Sequence, residues 1–275
     1  MLKIRVITAV VLLGVFIPAL FLSPMMLWAS LMMALALVGI REWSGFLTLT
    51  NRQEKGYLLF SALAGLYLLF LLYQSGFHWF FYQSLLVLLV ATIFWLVVVP
   101  LALFFHYFPR QKWLNMLVGL GLMLSLWMAL VTTQELNPMF LLVIISTIWL
   151  ADSAAYFAGK QFGKHKLAPA ISPGKTWEGV AGALFAVGIY ACLLKLTGAV
   201  STWWVLGCLW VITIAGIYGD LFESLFKRRA NLKDSGQFLP GHGGLLDRID
   251  GVIPALPVGL CLVLWFHYMQ QSYAF

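Results

Sequence analysis

Charge is scarce in this sequence. Only 10% of its 275 residues are charged, against about a quarter in a soluble domain, so water is not its main solvent. Cysteine is scarce as well. Cys192, Cys208 and Cys261 stand singly in apolar stretches, which excludes a redox pair or a closely spaced thiolate metal site. Histidines 78, 106, 165, 242 and 267 form no i, i+4 pair, and no zinc site is indicated. The first apolar run lacks a small-residue cleavage pattern and outruns a signal-peptide core. No internal repeat and no nucleic-acid motif is present.

Apolar residues, by contrast, make up 62% of the chain. A hydrocarbon core about 30 Å thick needs about 20 of them per helical crossing. Hydropathy predicts an all-α, polytopic membrane protein with nine spans near 5–22, 24–40, 57–74, 80–105, 113–132, 138–159, 178–197, 202–226 and 252–269. Pro100 is expected to kink or split the fourth. Residues 1–275 read as one membrane domain. Within it, 1–137 supply helices of unassigned role and 138–275 form the catalytic half.

Lys and Arg concentrate in cytoplasmic loops. With nine spans, every basic residue except Lys195 falls on the side of the amino terminus. The expected orientation is therefore amino terminus cytoplasmic and carboxyl terminus outside. The net charge of +7 then describes a basic cytoplasmic face suited to anionic headgroups and nucleotides.

Two cytoplasmic loops, 160–178 and 227–250, hold glycine, proline and charges of both signs. Asp220, Glu223, Ser224 and Lys227 are spaced to share one face at the end of the eighth helix. Asp247 and Asp250, with Arg248 between them, open the ninth. Carboxylates at a membrane edge are costly and point to function. Their chemistry suits magnesium, and salt bridges to Lys227, Arg228 and Arg248 explain them equally well. Asp152, inside the sixth span, is another costly acid. Gly243 and Gly244, beside His242, allow backbone N–H groups to approach a phosphate. The run Ser172-Pro-Gly-Lys-Thr resembles half of a P-loop, but Pro169 replaces the first glycine. Lys175 and Thr176 at a helix start still suit phosphate.

The 27 residues from Ser224 to Asp250 include Ser224-Leu-Phe-Lys-Arg228, Lys233-Asp-Ser-Gly236 and Leu239-Pro-Gly-His-Gly-Gly-Leu-Leu-Asp-Arg-Ile-Asp250. This stretch, with 152–163 and 172–179, resembles the phosphatidate cytidylyltransferase (CDP-diacylglycerol synthase) family. The resemblance implies transfer of the cytidylyl group of CTP to phosphatidic acid, with release of pyrophosphate, at the cytoplasmic face of the cell membrane. It implies a magnesium-dependent two-metal centre on Asp220 and Asp247, the second ion unidentified, with Asp250 orienting a neighbour and Lys227 in the catalytic set. Substrate contacts then fall to Asp152, Lys175, Thr176, Ser224, Arg228, Lys233, Asp234, His242, Gly243, Gly244 and Arg248. The partners are CTP, phosphatidic acid and membrane lipids, with a homodimer as one assembly. A CTP-dependent lipid kinase is the alternative enzyme; a secondary transporter fits less well, because the acids gather at one face rather than at the midplane.

Overall fold

Helix ends fall where the sequence supplies caps and breakers. Pro24 opens α2, and Thr50 and Gln53 form a reciprocal capping box at the start of α3. Asn137 caps α6 with Pro138 in its first turn, and Thr176 caps α7 by accepting from Gly179 N at 3.1 Å. A computed structural model describes the backbone of residues 2–200, 202–236, 238 and 243–272, with side chains for 10, 11, 13–200, 202–236, 238 and 243–266. The helices are α1 (Leu2–Leu22), α2 (Met25–Gly45), α3 (Asn51–Ile93), α4 (Val99–Phe104), α5 (Lys112–Leu136), α6 (Pro138–Phe162), α7 (Trp177–Leu196), α8 (Trp204–Arg229), α9 (Leu246–Ile249) and α10 (Val252–Ser272). A π-helical turn, Phe94–Val98, joins α3 to α4.

Among the described residues, seven helical stretches are long and apolar enough to cross a membrane, fewer than the nine expected. One of them, Asn51–Phe104, contains both the third and fourth expected spans. As a continuous helix of 54 residues it would be about 80 Å long, far more than one crossing. Gly76, at φ 72° and ψ 177°, breaks it. Contacts at its two ends show that the stretch returns to the end of the bundle where it began. Tyr57 donates to Met116 O near the start of α5, Phe80 and Ser84 meet Trp127 and Thr132 further along, and Phe94 returns to Phe108 and Phe222. The chain therefore doubles back at Gly76. Pro100 does not split the helix; it stands in the first turn of α4, directly after the π turn. The remaining expected span lies in α1, of which Leu13–Leu22 counts as a shorter apolar segment.

Tryptophans pin the bundle together. Trp28 Nε1 donates to Leu130 O at 3.1 Å, Trp127 Nε1 to Ala29 O at 2.8 Å, and Trp43 Nε1 to Asn115 O at 2.9 Å. An indole N–H in hydrocarbon needs such an acceptor. The three bonds lock α2 antiparallel to α5. The outward face carries Leu59, Phe60, Leu63, Leu66 and Phe70 at helical spacing, all exposed, an apolar area suited to lipid rather than water.

The loop 160–178 departs from the all-helical expectation. Strands β1 (Lys166–Ala168) and β2 (Ser172–Thr176) pair antiparallel, with Lys166 opposite Thr176. Glu178 ties this hairpin down, accepting from His165 N at 3.2 Å and meeting its Nδ1 at 2.7 Å.

Candidate active site

The last turns of α8 present two faces. Phe222 and Phe226 enter an aromatic cluster with Trp43, Trp95 and Phe108, ring centroids 4.7 to 6.3 Å apart. Opposite them stand Asp220, Ser224, Glu223 and Lys227. Ser224 Oγ donates to Asp220 Oδ1 at 3.3 Å, and Lys227 Nζ lies 3.5 Å from Glu223 Oε2. Both pairs are i, i+4 neighbours, as the spacing predicts. The aromatic face keeps the charged face from rotating.

Two ion pairs join this face to the motif loops. Lys227 Nζ reaches Asp247 Oδ1 at 2.7 Å, and Lys175 Nζ, carried on β2, reaches Asp220 Oδ2 at 2.5 Å. The Lys227–Asp247 pair is nearly buried, whereas Asp220 is about one third exposed, its side chain at 34%. Asp247 Oδ2 accepts from Ser235 N at 2.9 Å, Gly244 N at 3.0 Å and Ser235 Oγ at 3.1 Å. This carboxylate thus closes the loop 235–244 onto α8. Gly219 allows the approach of α8, since a Cβ there would collide with the Asp250 carbonyl and Pro254.

Asp250 lies within electrostatic reach of Asp220, Glu223 and Asp152, and Asp152 within that of Asp220 and Lys175. Asp250 Oδ1 accepts from Gly251 N at 2.8 Å. Arg228 Nε donates to Ile171 O at 3.2 Å, fastening the end of α8 to the hairpin turn. Lys233, Asp234 and Arg248 are exposed around the rim. Thr176 Oγ1 is buried as the helix cap, while Lys175 beside it points to Asp220. Gly243 adopts φ 84°, a left-handed conformation suited to glycine. His242 lies outside the described residues.

The acids outnumber the lysines paired with them. Glu223 is buried and has the Lys227 ammonium as its cation, 3.5 Å from Oε2. Among the described residues, no three His, Cys, Asp or Glu side chains are grouped to hold a metal by themselves. Magnesium asks for less. It takes one or two carboxylates and completes its shell with phosphate oxygens and water, so this hard-oxygen donor set fits it.

Sequence reading missed Glu42. This residue of α2 is buried and accepts from Leu245 N at 2.9 Å, Leu246 N at 2.8 Å and Ser235 Oγ at 2.9 Å. Its signal was available, because an acid at the end of an apolar helix merits the same attention as Asp152. The site therefore draws on the first 137 residues as well as on the remainder.

A multi-pass helical membrane protein with an ion-paired acidic site at one end of its bundle is the class that these features define. The chain belongs to the cytidylyltransferase family, whose model matches residues 3–266. It is 35% identical over 287 aligned positions to the phosphatidate cytidylyltransferase of Haemophilus influenzae, covering 94% of this chain and 96% of that protein. It is 36% identical to that of Pseudomonas aeruginosa, covering 96% and 97%. A Staphylococcus aureus enzyme of the same name is 42% identical over 143 positions.

Proposed function

We infer that this protein is a phosphatidate cytidylyltransferase, which makes CDP-diacylglycerol and pyrophosphate from CTP and phosphatidic acid. The observation that carries this reading is the similarity to two proteins of that name, 35% and 36% identical and aligned over at least 94% of each chain; the contacts Lys175–Asp220 and Lys227–Asp247, at the junction of both motif loops, fit it. In the reaction a phosphatidate oxygen attacks the α-phosphorus of CTP, a new P–O bond forms, and the bond to the β-phosphate oxygen breaks. The attacking phosphate is already ionised near neutral pH, so no general base is required. The protein has to hold two anions in line and offset their repulsion.

An ammonium has three donors. Lys175 and Lys227 therefore keep donors for phosphate oxygens while they are ion-paired, and Arg228, Lys233 and Arg248 add positive charge at the rim. Asp220 and Asp247 would hold magnesium, and Asp250 would orient a neighbour or a bound water. Magnesium, when bound, would neutralise phosphate oxygens. Ser224, Asp234, Asp152 and the loop at Gly243 and Gly244 complete the substrate surface, with His242 as a hydrogen-bond donor and Thr176 supporting Lys175. The site would face the cytoplasm in the cell membrane, where a soluble nucleotide can meet a lipid that stays in its leaflet.

Product analysis tests the reading. Purified protein with CTP, phosphatidate and magnesium should yield a CDP-lipid and pyrophosphate. Formation of CDP and a phosphorylated lipid from an unphosphorylated acceptor would assign a CTP-dependent kinase instead.

A further inference from the structure

Glu42 is a buried acid, 8% exposed, with no ion-pair partner among the described residues. A carboxylate so placed is costly unless hydrogen bonds replace its water. Here all three donors come from the motif loop, about 200 residues away in sequence: the N–H groups of Leu245 and Leu246, which open the turn of α9, and the hydroxyl of Ser235. α2 is itself held firmly, through Trp43 Nε1 on Asn115 O and the packing of the Trp43 ring on Phe226 at 4.7 Å. Glu42 is therefore a fixed post against which the loop is built.

The loop sequence fits that post. A Cβ at Gly236 would stand 2.6 Å from Glu42 Oε1, and one at Gly244 would stand 2.7 Å from Oε2. Both are closer than a real Cβ contact, so these two glycines leave room for the Glu42 carboxylate. Ser235 is the joint between the two acids. Its hydroxyl lies 2.9 Å from Glu42 Oε2 and 3.1 Å from Asp247 Oδ2. A hydroxyl has one proton to donate, so Ser235 serves one carboxylate at a time.

We propose that Glu42 is a positioning residue for the cytidylyl-transfer site, setting the direction of the Asp247 carboxylate through Ser235 and the Leu245–Leu246 backbone. This assignment rests on the function inferred above. Glu42 touches no reacting atom in this scheme; it holds the loop in the one arrangement that aims Asp247 at Lys227. The site is then assembled across the whole chain, with α2 supplying its support.

Three variants test this: Glu42→Gln, Ser235→Ala and Gly236→Ala. Glutamine presents an N–H₂ to backbone donors, alanine at 235 cuts the joint, and alanine at 236 presses on the carboxylate without touching Asp247. Each is measured per folded molecule for kcat, for KM of CTP and phosphatidate, and for Mn²⁺ affinity by electron paramagnetic resonance. The expected result is a fall in kcat and in Mn²⁺ affinity of about 10- to 100-fold, the range for residues that orient a ligand, with KM for phosphatidate little changed. The Glu42→Gln/Ser235→Ala double variant should lose less than the product of the two single losses, because the two variants share the Ser235 hydroxyl contact. Normal kcat and normal Mn²⁺ affinity in folded variants, with only thermal stability reduced, would make Glu42 structural and overturn the proposal. If Glu42→Gln does not fold, Ser235→Ala and Gly236→Ala decide on the same criteria. An active wild type with unaffected variants rejects the positioning role alone, whereas a wild type that makes no CDP-lipid rejects the functional reading beneath it.

Discussion

Asp220 and Asp247 look equivalent in the sequence, but the structure gives them different surroundings. Asp247 is nearly buried, and its two oxygens meet Lys227, Ser235 and Gly244. An asparagine there must turn its N–H₂ either toward Lys227 or toward backbone N–H groups, and both arrangements set donor against donor. Asp247→Asn should therefore abolish turnover and also cost about 3–5 kcal/mol, the range for breaking a buried pair, read as a lower melting temperature in detergent. Asp220 is partly solvated and has one lysine partner. Asp220→Asn should abolish turnover while changing stability by less than about 1 kcal/mol. Near-normal turnover in both folded variants would remove the carboxylates from the mechanism.

Among the elements, the hairpin β1–β2 separates support from contact. Thr176 caps α7, so Thr176→Ala should cost about 1 kcal/mol and shift the melting temperature. Lys175→Ala should leave folding intact and weaken substrate use or slow turnover, and unchanged kinetics with both substrates would leave Lys175 as a structural ion-pair partner of Asp220. The i, i+4 face of α8 was legible from spacing alone, since Asp220, Glu223, Ser224 and Lys227 are brought together by helical periodicity. The hairpin was not, because five residues containing a proline and a glycine, Ser172–Thr176, carry no period-2 pattern. Nor was Glu42 assigned to the site, because two of its three partners are backbone N–H groups some 200 positions away, and a backbone N–H has no letter in the sequence. The doubled-back α3 was legible: hydropathy separates the spans 57–74 and 80–105, and Gly76 falls in the gap between them; the expected split at Pro100 did not occur.

For the whole molecule, the account places one charged end of the bundle in the cytoplasm. In a variant lacking the native Cys192, Cys208 and Cys261, a cysteine at position 164 should react with an impermeant reagent from the cytoplasmic side, and Ala199→Cys from the opposite side. Labelling of both from one side would contradict the crossing of α7. The measurement that bears most directly on the central claim is the fate of label from CTP. The purified protein is given phosphatidate and magnesium with CTP carrying ³²P in either the α- or the γ-phosphate, beside Asp220→Asn as a control. The account predicts α-label in the lipid, γ-label in pyrophosphate and neither transfer in the variant; γ-label in the lipid, or α-label transferred equally well by Asp220→Asn, would contradict it.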